Sequence, residues 1–165
     1  MIKLFVMDVD GTLTDGKINI GANGELFKSF NVKDGYAIKR IHDCGCKTCI
    51  LTSRYSSIVQ NRSEELSIDF VIQGSNSKKE SLLQIAKEYN FLPEEIGYIG
   101  DDINDIECMR FSGYSACPKD SITLVASVSK YVCKNNGGEG AVREFIDYLI
   151  SKKLIVNIYD CWFIG

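Results

Sequence analysis

The sequence predicts an α/β fold: a three-layer, Rossmann-like, mostly parallel sheet with a β-hairpin flap and no cap domain. Segments typical of strands and segments typical of helices alternate along the chain, which is the pattern of an open parallel sheet covered on both faces. The near-continuous apolar run "KLFVMDV" is typical of a strand that is buried on both faces. Strongly polar clusters follow the predicted strands, where ligands bind in such sheets.

The first half of the chain contains a core strand, a hairpin and then alternating elements. After "KLFVMDV", the segments "KINI" and "LFKSF" flank "GANGE", whose Asn23-Gly24 pair is a strong turn signal. The segment "DGYAIKRIHDCG" predicts a helix that begins at Asp34 and ends near Gly45. It is followed by the strand "KTCILT", the helix "SSIVQNRSEEL", the strand "DFVIQG" and the helix "KKESLLQIAKEYN".

The second half continues the alternation. It contains the strand "EIGYIG", the helix "IECMRFS", the strand "YSACP", the helix "SITLVASVS", the strand "KYVC", the loop "NNGGEG" and the helix "AVREFIDYLISKK". With 165 residues and no evident linker or repeat, residues 1–165 are expected to form a single domain. The hairpin flap is expected at about residues 17–30 and an apolar tail at about 153–165.

Composition excludes several classes of function. The net charge is −3, so no nucleic-acid footprint is visible, and no apolar run approaches the roughly 20 residues of a membrane span. The N-terminus lacks the pattern of a secretion signal, and a cytoplasmic location is expected. The segment "DCGCKTCI" lacks a second ligand pair for zinc. Cys44, Cys46 and Cys49 are therefore expected to be reduced, small buried side chains.

Four of the predicted strands end in polar side chains that can act together. These are Asp8 and Asp10, then Thr52 to Arg54, then Gln73 and Gly74, and finally Gly100 to Asp102. Like charges held close repel by roughly 4 kcal/mol at an effective dielectric near 20. Asp8, Asp10 and Asp101 therefore suit a hard cation, for which Mg²⁺ fits best. With the hydroxyl of Thr52 and the ammonium of Lys78, they are the groups that a phosphoryl transfer requires.

Four motifs in the same order resemble those of the haloacid dehalogenase superfamily of phosphatases. They are "DVDGTLTDG", "LTSR", Lys78 and "GDDIND". The resemblance implies that Asp8 is the nucleophile and forms an aspartyl-phosphate, and that Asp10 is the general acid and base. It implies that Thr52 and Lys78 hold the phosphoryl oxygens. It further implies that Asp8, the main-chain carbonyl of Asp10, and Asp101 bind Mg²⁺.

The gaps between these motifs have no room for a separate lid domain. A site of this kind is open to water unless another subunit covers it. The chain thus resembles the capless subclass, which implies a homotetramer in which four hairpins pair and a neighbour closes each site. Tails in this subclass can reach a neighbouring subunit's site; packing of the tail on its own domain or on the tetramer surface is the alternative.

Two longer segments, "GELFKSFNVKDGYAIK" and "GGEGAVREF", resemble the 3-deoxy-manno-octulosonate 8-phosphate phosphatases of lipopolysaccharide precursor synthesis. The similarity extends from about Leu4 to Leu149. It implies that a small sugar-acid phosphate is the substrate. The substrate-binding residues that it implies are Asn31, Val32, Lys33, Asp34, Gly35, Lys39, Arg54 and Arg62. The two arginines can pair with the carboxylate of the sugar acid.

Two alternatives to this function stay open. The first is a phosphatase for nine-carbon nonulosonate 9-phosphates, which tends to carry glutamate at the position of Arg54 and lysine near Glu65. Ser53, where glycine is usual, adds bulk beside the substrate. The second alternative is a non-catalytic assembly module like the domains fused behind sialic-acid cytidylyltransferases, against which the four intact motifs argue.

Several neighbouring residues are expected to support the site. Asp102 either caps the following helix or also orients Lys78, and Asp105 is either part of the site or purely structural. The register of the motifs selects Lys78 over Lys79 as the functional lysine. In the loop "NNGGEG", the spacing of Gly138, Glu139 and Gly140 favours close approach to a ligand, with a plain flexible connection as the alternative.

Overall fold

The computed structural model describes residues 1–155. Within them the strands are β1 (Leu4–Met7), β2 (Asn19–Gly21), β3 (Gly24–Phe27), β4 (Lys47–Leu51), β5 (Phe70–Ile72), β6 (Ile96–Ile99), β7 (Tyr114–Cys117) and β8 (Tyr131–Val132). The helices are α1 (Val32–Asp43), α2 (Ser57–Glu65), α3 (Lys78–Glu88), α4 (Ile106–Phe111), α5 (Thr123–Val128) and α6 (Ala141–Ser151). Short 3₁₀ turns span Pro93–Glu95 and Ile103–Asp105.

Six of these strands form one parallel sheet in the order β5-β4-β1-β6-β7-β8. Strand β1 lies inside the sheet between β4 and β6, and its four residues are buried. From β1 the chain winds outward through β4 to β5, and it then returns to the other side of β1 at β6. The direction of winding thus reverses at β1, and the crevice at the carboxyl end of such a strand is where ligands bind in open α/β sheets.

Helices cover both faces of the sheet, as the sequence predicts. Because side chains alternate along a strand, Phe5 and Met7 of β1 pack with one layer while Leu4 and Val6 pack with the other. The first layer contains α1, α2 and α6, and the second contains α3, α4 and α5. The three-layer α/β arrangement is therefore confirmed.

The predicted hairpin is formed by β2 and β3, which pair antiparallel in a sheet of their own. Gly24 at the turn has φ +111, a conformation that glycine adopts without the steric cost of a Cβ. The next helix begins at Val32, two residues before the predicted start at Asp34. The reason is the cap: the side chain of Asn31 accepts a hydrogen bond from the backbone N–H of Lys33 at 2.8 Å.

The cysteines of the described residues behave as packing side chains. Cys46 and Cys49 are buried as expected, whereas Cys44 is only half-buried, at the end of α1. Burial raises the pKa of the Cys46 thiol to about 12. No helix within residues 1–155 is long and apolar enough to cross a bilayer. The prediction for the tail concerns mainly residues 156–165, which lie outside the described residues.

Candidate active site

A cleft of about 160 Å³ opens at the carboxyl end of β1, where the sheet changes its direction of winding. It is lined by Asp8, Asp10, Thr52, Ser53, Arg54, Asp102 and Asn104. The topology explains this collection, because the ends of β1, β4 and β6 are neighbours in the sheet. The structure thus brings together predicted residues from three of the four motifs on one rim.

Asp8 is the first residue after β1 and is held by both backbone and side chain. Its N–H donates to the carbonyl of Ile99 at 3.0 Å, and its Oδ1 lies 2.7 Å from the Nζ of Lys78. Burial raises the pKa of Asp8 well above its usual value, and the charge of Asp105 raises it further, whereas Lys78 lowers it. Asp8 is therefore a desolvated carboxyl group with one oxygen fixed by an ammonium.

Lys78 begins α3 and its side chain is 1% exposed. The hydroxyl of Ser77 caps this helix by accepting from the N–H of Glu80, which fixes where the first helical residue points. Burial lowers the pKa of Lys78, but Asp8 and Asp105 outweigh it and leave the pKa above its usual value. The neighbouring Lys79 points elsewhere, with its Nζ 4.2 Å from the centre of the Phe111 ring.

Asp105 is the residue that orients Lys78. It is fully buried, and its Oδ1 accepts hydrogen bonds from Lys78 Nζ at 2.7 Å and from the Tyr98 hydroxyl at 2.6 Å. Its Oδ2 accepts from the N–H groups of Asp101 and Asp102 at 3.1 and 3.2 Å. Asp105 therefore joins the loop after β6 to the lysine of α3.

Asp102 has the capping role. Its side chain accepts from the N–H of Ile103 at 2.7 Å and begins the 3₁₀ turn. Within residues 1–155 the contact with Nζ of Lys78 is made by Asp105 and not by Asp102. The exposed Asp102 side chain lines the cleft instead.

Carboxylate oxygens of Asp8, Asp101 and Asp105 lie within 4.8 Å of one another. The four donors already bound to Asp105 occupy its acceptor positions, which leaves Asp8 and Asp101 as ligands. Burial raises the pKa of Asp101 to about 6, and the charge of Asp105 adds to the effect. A divalent cation between Asp8 and Asp101 would offset this crowding of negative charge, so the donor set fits Mg²⁺.

Glycine at position 11 makes room for this arrangement. A Cβ at Gly11 would collide with the carboxylate of Asp101, and its φ of +91 also favours glycine. The hydroxyl of Thr12 donates to Oδ1 of Asp101 at 3.2 Å. The loop after β1 therefore holds Asp101, the second acid group of the candidate metal site, close to Asp8, the first.

The glycines of "NNGGEG" approach the protein backbone rather than the cleft. A Cβ at Gly137 would collide with the carbonyl of Gly11, and the N–H of Gly138 donates to the carbonyl of Thr12 at 3.0 Å. These contacts within one chain do not test the expected approach to a ligand, which stays a prediction. Glu139 is exposed and accepts from the side chain of Asn136, and Gly140 leads into α6.

Most of the predicted substrate-binding residues lie on α1 or at its cap, outside the lining of the cleft. These are Asn31, Val32, Lys33, Asp34, Gly35 and Lys39. Val32, Lys33 and Lys39 are exposed, whereas Asp34 is buried and accepts from the N–H of Arg143 at 2.7 Å. Within one chain, none of these residues therefore lines the cleft that contains Asp8.

The two predicted carboxylate-binding arginines also line different cavities. Arg54 lines the cleft of Asp8, whereas Arg62 lines a small cavity beside Asp34 and Gly35. Arg62 pairs with Glu65 at 2.7 Å and lies over the Phe30 ring. Within one chain the arginines therefore do not converge on one carboxylate, because the seven residues between them include the first five residues of α2.

Sequence reasoning missed two residues at the site: Lys28, which contacts Asp10, and Asn104, which lines the cleft. Lys28 follows β3, and its Nζ lies 2.5 Å from Oδ1 of Asp10. Asn104 donates from Nδ2 to the hydroxyl of Ser53 at 3.2 Å and links the rims after β4 and β6. A charged residue in the mostly apolar "LFKSF" was the available signal for Lys28, but the periodicity does not give the direction of its side chain.

A family model and a similar protein of known name both indicate a haloacid dehalogenase-like hydrolase. Residues 61–146 match the family of haloacid dehalogenase-like hydrolases. The 3-deoxy-D-manno-octulosonate 8-phosphate phosphatase of Escherichia coli K12 is 37% identical over 149 residues, which cover 90% of this chain and 79% of the relative.

Two solved structures are similar over most of both chains. One is the phosphatase of the same name from Moraxella catarrhalis, in complex with magnesium, phosphate and KDO. Its TM-score is 0.91 at 34% identity, with 96% of this chain and 90% of that chain covered. The other is the cobalt-bound form of the Haemophilus influenzae enzyme, with a TM-score of 0.87 at 35% identity, covering 91% and 88%.

Proposed function

The chain belongs to the haloacid dehalogenase-like hydrolases and, within them, to the 3-deoxy-D-manno-octulosonate 8-phosphate phosphatases, and from this premise we propose that it hydrolyses that sugar-acid phosphate. The reaction releases the free sugar acid and inorganic phosphate, and it depends on Mg²⁺. The observation that carries the proposal is the buried pair of Asp8 and Lys78, 2.7 Å apart, beside Asp101 at the switch point of the sheet.

The first half of the reaction transfers the phosphoryl group to Asp8. A carboxylate oxygen of Asp8 attacks phosphorus, and the bond from phosphorus to the sugar oxygen breaks. Asp10 donates its proton to the departing oxygen, so that the sugar leaves as an alcohol. Lys78 and the hydroxyl of Thr52 bind the phosphoryl oxygens, where negative charge must be compensated.

The second half releases phosphate from Asp8. Asp10, now a carboxylate, takes a proton from water as that water attacks phosphorus. The bond between phosphorus and Asp8 breaks, and the enzyme returns to its starting state. Asp8 and Asp101, with the main-chain carbonyl of Asp10, would hold Mg²⁺. The bound ion would supply charge compensation for both carboxylates and for the phosphoryl group.

The cleft is large enough for only one end of the substrate. Its volume of about 160 Å³ is below the roughly 300 Å³ of the smallest pockets that enclose a drug-sized ligand. The cleft therefore holds the phosphoryl end, and the sugar acid extends past Arg54 toward the hairpin. Arg54 is positioned to bind the carboxylate, with a geometry that suits a planar partner.

We infer that the working form is a homotetramer. Large apolar side chains of the hairpin, Ile20, Leu26 and Phe27, are more than half exposed, and such a surface is typical of an interface. The predicted substrate residues on α1, which do not line the cleft of Asp8 within one chain, would then serve a neighbouring site. A cytoplasmic location is also proposed; the buried cysteines without disulfides among the described residues support a reducing compartment.

The test is a panel of phosphate esters with purified protein and Mg²⁺. We expect phosphate release from 3-deoxy-D-manno-octulosonate 8-phosphate to exceed that from hexose phosphates and from nine-carbon keto-acid 9-phosphates. Asp8→Asn, assayed in parallel, should retain the fold and lose turnover. Equal rates across the panel would overturn the substrate assignment, and turnover by Asp8→Asn would overturn the mechanism. Absence of turnover in the wild-type protein would support the assembly module.

A further inference from the structure

The hairpin places one cation against the acid/base residue of its own chain. Lys28 follows β3, and its side chain is 2% exposed. Its Nζ lies 2.5 Å from Oδ1 of Asp10 and 2.9 Å from Oε1 of Glu25. A lysine is rarely buried to this degree unless it is paired, and here both partners are carboxylates.

Glu25 fixes this lysine to the rim of the cleft. The hydroxyl of Ser56 donates to Oε2 of Glu25, and the N–H of Ser56 donates to the side chain of Gln73 at 2.9 Å. Burial raises the pKa of Glu25, but the hydrogen bonds from Ser56 and Lys28 outweigh it and leave the pKa below its usual value. Glu25 is therefore an anion at neutral pH, and it anchors Lys28 to the loop that precedes α2.

An acid/base carboxyl needs a defined orientation toward the leaving oxygen. In a phosphatase of the proposed kind, Asp10 must direct one oxygen at the sugar oxygen and later at water. The contact with Lys28 is made by Oδ1, so this side chain cannot rotate freely. Asp8 and Lys78 are held by α3 and the loop after β6, whereas the hairpin contributes this contact to Asp10.

We propose that Lys28 is a positioning residue for Asp10 and that Glu25 holds it in place, so that the hairpin controls protonation of the leaving group. This rests on the proposed phosphatase function. Two other roles give different outcomes. If Lys28 binds the phosphoryl group, its loss affects all phosphate esters alike. If the ion pair only stabilises the hairpin, its loss reduces the folded fraction and leaves the selectivity among esters unchanged.

The experiment uses a series of substituted phenyl phosphates with Lys28→Met in the full chain. The ratio kcat/KM covers the steps through departure of the leaving group, so it reports the proton that Asp10 donates. p-Nitrophenolate departs without that proton, whereas unsubstituted phenolate needs it. We expect kcat/KM for phenyl phosphate to fall about 10- to 100-fold, as a small misplacement of a reacting group can cost, and that for p-nitrophenyl phosphate to fall less than about threefold.

The two substrates are compared on one preparation, so the folded fraction cancels from their ratio. Lys28→Arg should restore most of the lost selectivity because it keeps a cation. In an Asp10→Asn background, Lys28→Met should not change the ratio further. Lys17→Met is the matched control: it changes an exposed lysine near the start of the hairpin, which pairs with Asp15, and should leave both values unchanged.

If Lys28→Met leaves the ratio of kcat/KM between the two substrates unchanged, whether or not both values fall, the proposed role of Lys28 is overturned. The proposed function stays intact in that case. A wild-type protein without Mg²⁺-dependent turnover of any ester would instead contradict the proposed function itself. The phenyl phosphates contain no sugar acid, so an error in the substrate assignment does not affect this test.

Discussion

Replacing Asp34 with asparagine should remove part of the pH dependence of folding stability. Asp34 lies in α1, is 1% exposed and accepts through Oδ1 from the N–H of Arg143 at 2.7 Å. Its Oδ2 is buried and has no hydrogen-bond partner among residues 1–155. Burial raises the pKa of Asp34 from 3.8 to about 6, although the backbone N–H groups of Arg143 and Gly140 act in the opposite direction.

The direction and size of the pH-dependent change in folding stability follow from this pKa of Asp34. The folded protein binds the Asp34 proton more tightly than the unfolded chain does, so this contribution to stability is complete below pH 3.8 and is lost as the pH rises through about 6. A difference of about two pKa units corresponds to about 3 kcal/mol. Asparagine is neutral and keeps an oxygen for Arg143, so Asp34→Asn should lack this loss.

The assay is urea-induced unfolding between pH 4.5 and 7.5, with chelator present and at one protomer concentration. The difference in free energy of unfolding, variant minus wild type, should rise by about 2 kcal/mol across this pH range, because part of the contribution is already lost at pH 4.5. Contributions of Asp8 and Asp101 are common to both proteins and cancel. Asp43→Asn, an exposed change on the same helix, is the control. A difference that stays constant with pH would contradict the raised pKa of Asp34 in the folded protein.

Two further substitutions test the site. Asp105→Asn leaves the buried ammonium of Lys78 with one fewer anion, so we expect a loss of about 3–5 kcal/mol in the free energy of unfolding and a lower kcat; an unfolding curve like that of the wild type would contradict the role of Asp105. Arg54→Ala removes a charged partner of the sugar acid, so the KM for the sugar-acid phosphate should rise roughly 10- to 100-fold, with p-nitrophenyl phosphate little affected. Equal losses with both substrates would assign Arg54 to the phosphoryl group.

The sequence predicted the fold well because its strongest signals are local. The apolar run of β1 must be buried on both faces, and the alternation with helical spacing leaves few topologies open. The start of α1 was misplaced because two acceptable caps lie near each other, and the structure uses Asn31 rather than a start at Asp34. Both side chains are common at helix N-termini, so propensity alone does not choose between them.

In the candidate site, too, the residues that local signals fix were predictable and the others were not. Asp8, Thr52 and Asp101 were predictable because strand ends fix where they lie. Lys28, which contacts Asp10, and Asn104, which lines the cleft, were missed because a periodicity does not encode the direction of a side chain. The role of Asp105 required the geometry of the 3₁₀ turn, which aims its carboxylate back at Lys78.

The glycines of the loop before α6 show how one pattern serves two purposes. The spacing favoured close approach to a ligand, and a close approach is present. The partner is the backbone after β1, where Gly137 meets the carbonyl of Gly11. Glycine spacing reports the need for space but does not identify what fills it.

The proposed mechanism requires a covalent bond between phosphorus and Asp8, the first acid group after β1. A single turnover with the sugar-acid phosphate, quenched in acid and treated with borohydride, converts an acyl phosphate into an alcohol that mass spectrometry locates in the chain. We expect the modification at Asp8, dependent on Mg²⁺ during the turnover. An unmodified Asp8 peptide after a productive turnover, or a modification at another aspartate, would contradict the mechanism.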